Sequence, residues 1–173
     1  MVTPFTPKII FEDKSLLIID KPAGMVVNRA RTTKEKTIQD WVSDYLKIRG
    51  KGIGKRAGIV HRLDKETSGL LLIAKNQKAF ENLQKQFKER KVEKRYLALV
   101  HGKVEPKEGM VEVPISRSPY NRKKFGVFLG GRPAKTKYKV KKYYTLNLKP
   151  FTLLELISNS FLKPVGLIKS ESI

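Results

Sequence analysis

The chain has no cysteine and only two histidines among its 173 residues. Without cysteine it can form neither a disulfide bond nor a thiolate site for a metal. The two histidines, His61 and His101, lie far apart in the sequence and do not have the spacing of metal ligands. The composition therefore implies no metal.

The sequence also lacks a long apolar run. No stretch approaches the roughly 18 residues that a membrane-spanning helix needs. The first residues contain prolines and no apolar segment of the signal-peptide type. These absences predict a cytoplasmic protein with no membrane partner.

Acidic residues are few, with 16 Asp and Glu against 37 Lys and Arg, and the formal net charge is +21. Such a charge exceeds what solubility requires and predicts salt-dependent attraction to a polyanion. Nucleic acid is the first candidate partner. A cationic RNA-binding protein associated with ribosomes would account for the charge without any catalysis.

The most informative stretch covers residues 57–75 and reads AGIVHRLDKETSGLLLIAK. It ends in an apolar run over residues 70–74, which predicts a strand covered on both faces. Residues 67–69, Thr-Ser-Gly, supply the turn into that strand. Asp64 should then lie on a fixed loop beside a rigid sheet.

Asp64 follows a His-Arg-Leu triplet and precedes Lys65. Because nearby cations favour the carboxylate form, Asp64 should stay ionised at neutral pH. An ionised carboxylate can act as a nucleophile or as a positioned base, but it is a poor general acid. The structural alternative is an Asp64 that caps a turn or pairs with Arg62.

Apolar periodicity predicts the remaining elements in a chain whose length suits one domain. Thr37 is the expected N-cap of the first of two helices. The expected elements are a hairpin of residues 9–11 and 16–19, helices over 38–49 and 77–90, a strand over 94–100 set beside the central strand by a crossover, and strands over 111–115, 125–129, 134–144 and 151–157. This order predicts an α+β fold, a mixed, largely antiparallel sheet with flanking helices, in a single domain over 1–173.

Lysines alternate with less polar residues in the strand predicted over 134–144. Lys135, Lys137 and Lys139 should therefore share one face, while the other face packs. The functional interpretation is contact with an RNA backbone. The alternative is an exposed strand whose lysines prevent edge pairing.

The segment HRLDKETSGLLLIAK resembles the active-site motif of the RluA-like family of pseudouridine synthases, His-Arg-Leu-Asp-x-x-Thr-Ser-Gly, at every specified position. Two further stretches resemble the same family in the same order: DKPAGMVVN at residues 20–28 and VEKRYLALVHG at residues 92–102. The resemblance covers roughly residues 8–157. It implies the fold of a pseudouridine synthase catalytic domain.

The resemblance also implies an isomerase that uses no cofactor. Such an enzyme breaks the bond between C1′ and N1 of uridine, turns the base, and joins C1′ to C5. Asp64 matches the carboxylate that starts this reaction, whether it attacks the sugar or the base. Because the target base is stacked in folded RNA, it must be extruded, and Arg62 matches the family position suited to filling the gap.

Three further residues are assigned to substrate binding by the resemblance: Tyr96, His61 and Lys21. Tyr96 stands where the family carries an active-site tyrosine, and it would contact the extruded uracil as an aromatic wall. The alternative is that Tyr96 is a core residue of a strand. Lys21 belongs to a Lys-Pro-x-Gly segment that lies near the active site in the family. The alternative for that segment is an ordinary Pro-Gly turn.

The sequence departs from the family after residue 157. The family follows a strand like TLLEL with Thr-Gly-Arg-x-His-Gln-Ile-Arg, whose arginine contacts the catalytic carboxylate. Here Thr152–Leu156 is followed by ISNSFLKPVGLIKSESI, in which no position matches that arginine. We therefore expect the C-terminal part of the core to be missing and residues 158–173 to form a divergent, poorly packed tail.

The resulting functional prediction is a monomeric pseudouridine synthase acting on ribosomal or transfer RNA. The alternative is a catalytically impaired or inactive RNA-binding remnant of the same family.

Overall fold

In a computed structural model of the chain, the described residues are 6–31, 33–47, 53, 55–121 and 124–158. The chain divides into two compact units, Met1–Glu89 and Arg90–Ile173. Each unit contains one sheet, and every strand pairing within the described ranges is antiparallel. The predicted α+β class with largely antiparallel strands is confirmed. The single catalytic domain over 1–173 stays a prediction.

Within its described residues, the first unit has a three-stranded sheet and two helices. Its elements are β1 (Lys8–Glu12), β2 (Leu16–Lys21), α1 (Ile38–Tyr45), β3 (Gly69–Ala74) and α2 (Gln77–Lys88), and the strand order is β1-β2-β3. The predicted hairpin is β1 and β2. Its turn is closed by the Asp13 carboxylate, which accepts hydrogen bonds from the N–H groups of Ser15 and Leu16 at 2.6 Å each.

The core of the first unit lies on one face of the sheet. The fully buried apolar side chains include Leu17, Ile19, Leu71 and Ile73 on that face. Ile38 and Val42 of α1 are fully buried as well. The prediction that the central strand is covered on both faces is wrong at its start, because Leu70 is 56% exposed. Leu70 pairs with Asp20 and shares the opposite, less covered face of the sheet.

Both predicted helices are present and begin at their capping residues. Thr37 and Asp40 form a capping box at α1, in which each side chain accepts a hydrogen bond from the other residue's backbone N–H, at 3.2 and 2.8 Å. This helix ends at Tyr45, earlier than the predicted 49, and residues 48–50 lie outside the described ranges. Asn76 caps α2 by accepting from the N–H of Ala79 at 2.9 Å.

The part of the second unit that the structure describes is a five-stranded sheet. Its strands are β4 (Lys94–His101), β5 (Glu108–Arg117), β6 (Phe125–Val127), β7 (Arg132–Leu146) and β8 (Lys149–Ser158), in the order β4-β8-β7-β5-β6. The expected crossover was wrong, because β4 pairs with β8 and not with β3. Ser158 is buried at the end of β8, while the rest of the predicted tail, 159–173, lies outside the described residues.

No helix in the described part of the chain has the length and apolar character needed to cross a bilayer.

Candidate active site

The segment that leads into the HRLD motif is bound to the outer edge of β3. The N–H of Ala74 donates to the carbonyl of Gly58 at 2.9 Å, and Ile59 forms an isolated bridge with Ile73. Gly58 has φ +79°, and a Cβ there would lie 2.1 Å from the carbonyl oxygen of Ala74. Only glycine permits this approach of the two backbones.

His61 continues this attachment with its side chain. Its Nε2 accepts a hydrogen bond from the backbone N–H of Leu72 at 3.0 Å, and its ring stacks on Phe87 of α2 with centroids 4.9 Å apart. Because Nε2 is the acceptor, a neutral ring carries its proton on Nδ1. The geometry supports an anchoring role for His61, and its binding of substrate stays a prediction.

Lys21 lies at the end of β2 and is fully buried. Its ammonium donates to three backbone carbonyls: those of Pro22 at 2.7 Å, Met25 at 2.9 Å and Lys65 at 3.1 Å. An ammonium has three protons, so all of its donors are used. Lys21 thus ties its own loop to the loop that carries Asp64, and direct substrate binding by Lys21 stays a prediction.

The same two loops are joined by a backbone hydrogen bond from the Gly24 N–H to the Lys65 carbonyl at 2.8 Å. Burial lowers the pKa of Lys21 below its ordinary value, while the charges of Glu66 and Asp64 oppose that decrease. The catalytic candidate Asp64 therefore interacts electrostatically with a buried cation in the first unit.

Asp64 itself is half-exposed and opens a turn in which its backbone carbonyl accepts from the Thr67 N–H at 3.1 Å. Within the described residues its carboxylate neither accepts a capping hydrogen bond nor forms an ion pair with Arg62. The two structural alternatives for Asp64 are thus not observed there. Arg62 is exposed.

Tyr96 lies on β4 in the second unit and is half-buried. It is directly opposite Leu156 of β8, which is opposite Tyr138 of β7, so the three side chains form one row across the sheet. The row continues to Gly109 of β5, where a Cβ would lie 2.8 Å from the Tyr138 hydroxyl. Tyr96 therefore lies on the same face of the sheet as Leu156 and Tyr138, and its role toward uracil stays a prediction.

The predicted lysine row is present on β7. Lys135, Lys137 and Lys139 are exposed, while the residues between them are partly buried. Lys135 forms an ion pair with Glu112 of β5 at 3.3 Å, which supports a structural role for this lysine. Lys139 lies opposite Glu108 and Glu155, whereas Lys137 lies opposite Met110 and Ile157.

The eight predicted site residues thus fall into two groups. His61, Arg62, Asp64 and Lys21 belong to the first unit, while Tyr96, Lys135, Lys137 and Lys139 belong to the second. Sequence reasoning missed Phe87 as the partner of His61 and Glu66 as a charge acting on Lys21. Phe87 was visible only as one apolar position of a helix. The described ranges contain no group of three or more His, Asp or Glu that could hold a metal.

Residues 15–162 match the family described as RNA pseudouridylate synthase. The chain is 44% identical over 138 residues to a protein of Nitrosomonas europaea named ribosomal large subunit pseudouridine synthase D, covering 80% of this chain and 39% of the relative. It is 43% identical over 137 residues to an uncharacterized RNA pseudouridine synthase of Aquifex aeolicus, covering 79% and 43%. The chain therefore spans about two fifths of the length of these curated relatives.

Two solved human structures are similar to this chain. They are RNA pseudouridylate synthase domain containing 1, with a TM-score of 0.72 and 22% identity, and domain containing 4, with a TM-score of 0.65 and 25% identity. Each comparison covers 90% of this chain and 60% of the solved chain. These similarities support the pseudouridine synthase fold that the sequence predicted.

Proposed function

The chain belongs to the RNA pseudouridylate synthase family, and we propose from this that it isomerises uridine to pseudouridine in ribosomal or transfer RNA. Asp64 is the carboxylate that starts the reaction, as nucleophile or positioned base. Ribosomal RNA is the favoured substrate because the Nitrosomonas relative is named for the large ribosomal subunit. We propose that the protein acts as a cytoplasmic monomer.

The observation that carries this proposal is the way Asp64 is held. The loop that contains it is tied to β3 through His61 and to the loop after β2 through Lys21. A reacting group is effective only when its position is fixed to within a fraction of an ångström. The attachment of the Asp64 loop on two sides supports such a fixed position.

In this proposal the other residues prepare the RNA for the reaction. Arg62, which is exposed beside Asp64 in sequence, occupies the gap left by the extruded uridine. Tyr96 provides an aromatic wall for the uracil ring. Lys137 and Lys139 bind backbone phosphates, with a smaller contribution from the ion-paired Lys135.

The test uses RNA transcripts that carry tritium on C5 of uracil. Forming the bond from C1′ to C5 displaces the C5 hydrogen, so each turnover releases tritium to water. The parent chain should release tritium, and Asp64→Asn should release none while binding the RNA as tightly or more tightly. Retained release by Asp64→Asn would refute the assignment of Asp64.

A second candidate is an RNA-binding protein of this family without isomerase activity. The observation that favours it is the absence from the sequence after Leu156 of any match to the arginine that contacts the family's catalytic carboxylate. In that case the parent chain binds RNA with strong salt dependence but releases no tritium. The two readouts together decide between the candidates.

A further inference from the structure

Negative charge is absent from a long part of the second unit. Residues 113–154 contain no Asp or Glu, while eleven of them are Lys or Arg. Part of this charge lies on β7 as the lysine row. Another part lies at the connection between β5 and β6, where the sequence from 117 to 125 is RSPYNRKKF.

That connection presents an aromatic ring to solvent. Tyr120 is 91% exposed, although a tyrosine usually covers much of its ring. Arg117, Tyr120, Lys124 and Phe125 are here called the basic-aromatic tip. Residues 122 and 123, which lie between them in sequence, are outside the described ranges.

The backbone beneath the Tyr120 ring is held in a closed loop. Ser118 Oγ accepts hydrogen bonds from the N–H groups of Tyr120 at 3.2 Å and Asn121 at 3.1 Å. The Ser118 N–H donates to the Lys124 carbonyl at 2.9 Å, and the Lys124 N–H donates to the Asn121 carbonyl at 2.9 Å. A ring on a preformed loop loses little conformational entropy when a ligand stacks on it.

Cationic residues belong to the same loop as the exposed ring. Arg117 and Phe125 face each other at the base of the tip, and the Arg117 guanidinium lies 4.9 Å from the Phe125 ring centroid. This contact places the positive charge of Arg117 at the base of the loop that carries Tyr120. Lys124 is also exposed.

An exposed ring on a loop that also carries cations is suited to an unpaired nucleotide. Bases inside a duplex hide their faces, whereas an unpaired base can stack on an aromatic side chain while its phosphates meet positive charge. We propose that the basic-aromatic tip is an RNA contact in which Tyr120 stacks on an unpaired base and Arg117 and Lys124 bind the adjoining phosphates. This rests on the proposed function only in taking RNA as the partner, and it gives the protein a preference for looped RNA.

The experiment measures binding of the full chain to a stem-loop RNA and to a fully paired duplex of the same composition. Tyr120→Ala should weaken binding to the stem-loop by about 5- to 100-fold, the usual loss for one stacked base, and leave duplex binding near the parent value. Tyr120→Phe keeps the ring and should restore stem-loop binding. The control is Leu129→Ala, which removes a fully exposed apolar side chain from the next turn and should change neither affinity.

Two further readouts test the chemistry of the contact. A 5-iodouridine placed in the loop should crosslink to Tyr120 on irradiation. Arg117→Gln and Lys124→Gln should each lower the salt slope of stem-loop binding by about 0.7.

Three outcomes separate this proposal from the proposed function. Parent-level stem-loop binding by Tyr120→Ala, or an equal loss on both RNAs, overturns the stacking contact. If the parent chain still releases tritium in that case, the proposed function stands. Failure of the parent chain to bind either RNA overturns both.

Discussion

The backbone N–H of Leu72 donates a hydrogen bond to the imidazole Nε2 of His61 across 3.0 Å. Two residues further along β3, the N–H of Ala74 donates to the carbonyl of Gly58. At this edge of β3, the N–H of Leu72 therefore bonds to a side chain, and the N–H of Ala74 bonds to a backbone carbonyl. The segment before Asp64 covers this edge of the sheet almost as an additional strand would.

The first prediction concerns His61→Ala, which removes the acceptor for Leu72. A backbone N–H that loses its partner costs about 1–2 kcal/mol in the free energy of unfolding, and the contact with Phe87 is lost as well. Hydrogen exchange at the Leu72 amide should become faster. The matched control is His101→Ala, whose ring contacts Phe151 in the second unit, and it should leave Leu72 exchange unchanged. Unchanged exchange at Leu72 in His61→Ala would contradict the anchoring role.

The second prediction concerns Lys21→Met, which leaves the carbonyls of Pro22 and Met25 without their buried donor. Because the substitution breaks a buried charged hydrogen-bond network, we expect the free energy of unfolding to fall by about 2–3 kcal/mol. Exchange at the Gly24 amide, which bonds to Lys65, should become faster than in the parent chain. If Gly24 stays equally protected, Lys21 does not hold the two loops together.

Because Lys21 is buried, the difference in stability between the parent chain and Lys21→Met should also depend on pH. Burial lowers the pKa of Lys21 in the folded state, so at alkaline pH the unfolded chain binds more protons at this residue than the folded chain does. The stability of the parent relative to Lys21→Met should therefore rise with pH up to about 10.4, the ordinary lysine pKa. Denaturant unfolding of both chains at several pH values measures the slope, and a slope of opposite sign would be inconsistent with a lowered pKa.

The third prediction compares two glycines that both have positive φ. Gly58→Ala places a Cβ 2.1 Å from the Ala74 carbonyl oxygen and should cost about 3 kcal/mol or more, since strain and a backbone clash act together. Gly24→Ala has φ +89° but no atom within 4 Å of the added Cβ, so it should cost only about 1 kcal/mol. Thermal or denaturant unfolding distinguishes them. Equal costs would show that the contact with β3 does not constrain residue 58.

The fourth prediction concerns the lysine row in RNA binding. Lys137→Gln and Lys139→Gln together should lower the salt slope of binding by about 1.4–1.8, the value for two phosphate contacts. Lys135→Gln should have a smaller effect, because Lys135 is already paired with Glu112. If the salt slope of RNA binding in both variants equals that of the parent chain, these lysines do not bind phosphates. They would then serve to prevent the exposed strand from pairing with another strand.

Local signals in the sequence predicted the elements well. Thr37 and Asn76 lie at the expected helix starts, and the alternation around Lys137 gave the faces of β7 correctly. The pairing of β4 with β8 was not predicted, because the strands are separated by most of the second unit and no local pattern specifies a distant partner. Leu70 was misplaced for a similar reason, since a short apolar run does not reveal which face of a sheet is covered.

The sequence predicted the side chains of the site but not the hydrogen bonds that hold them in place. Asp64 and Arg62 were visible in the motif, whereas the role of Lys21 depends on backbone carbonyls, and these carry no signature of residue type. The contact from His61 to Leu72 is hidden in the same way, because every residue except proline offers the same N–H.

The reach of Lys21 has a consequence for the order in which the molecule folds. Its acceptor on Lys65 lies 44 positions along the chain, so the contact requires closure of a long loop. We expect this contact to form after the folding barrier, so that Lys21→Met mainly speeds unfolding and leaves the folding rate almost unchanged. The Asp64 loop should accordingly be among the last parts of the first unit to become ordered, and a peptide of residues 57–75 alone should not adopt its native conformation.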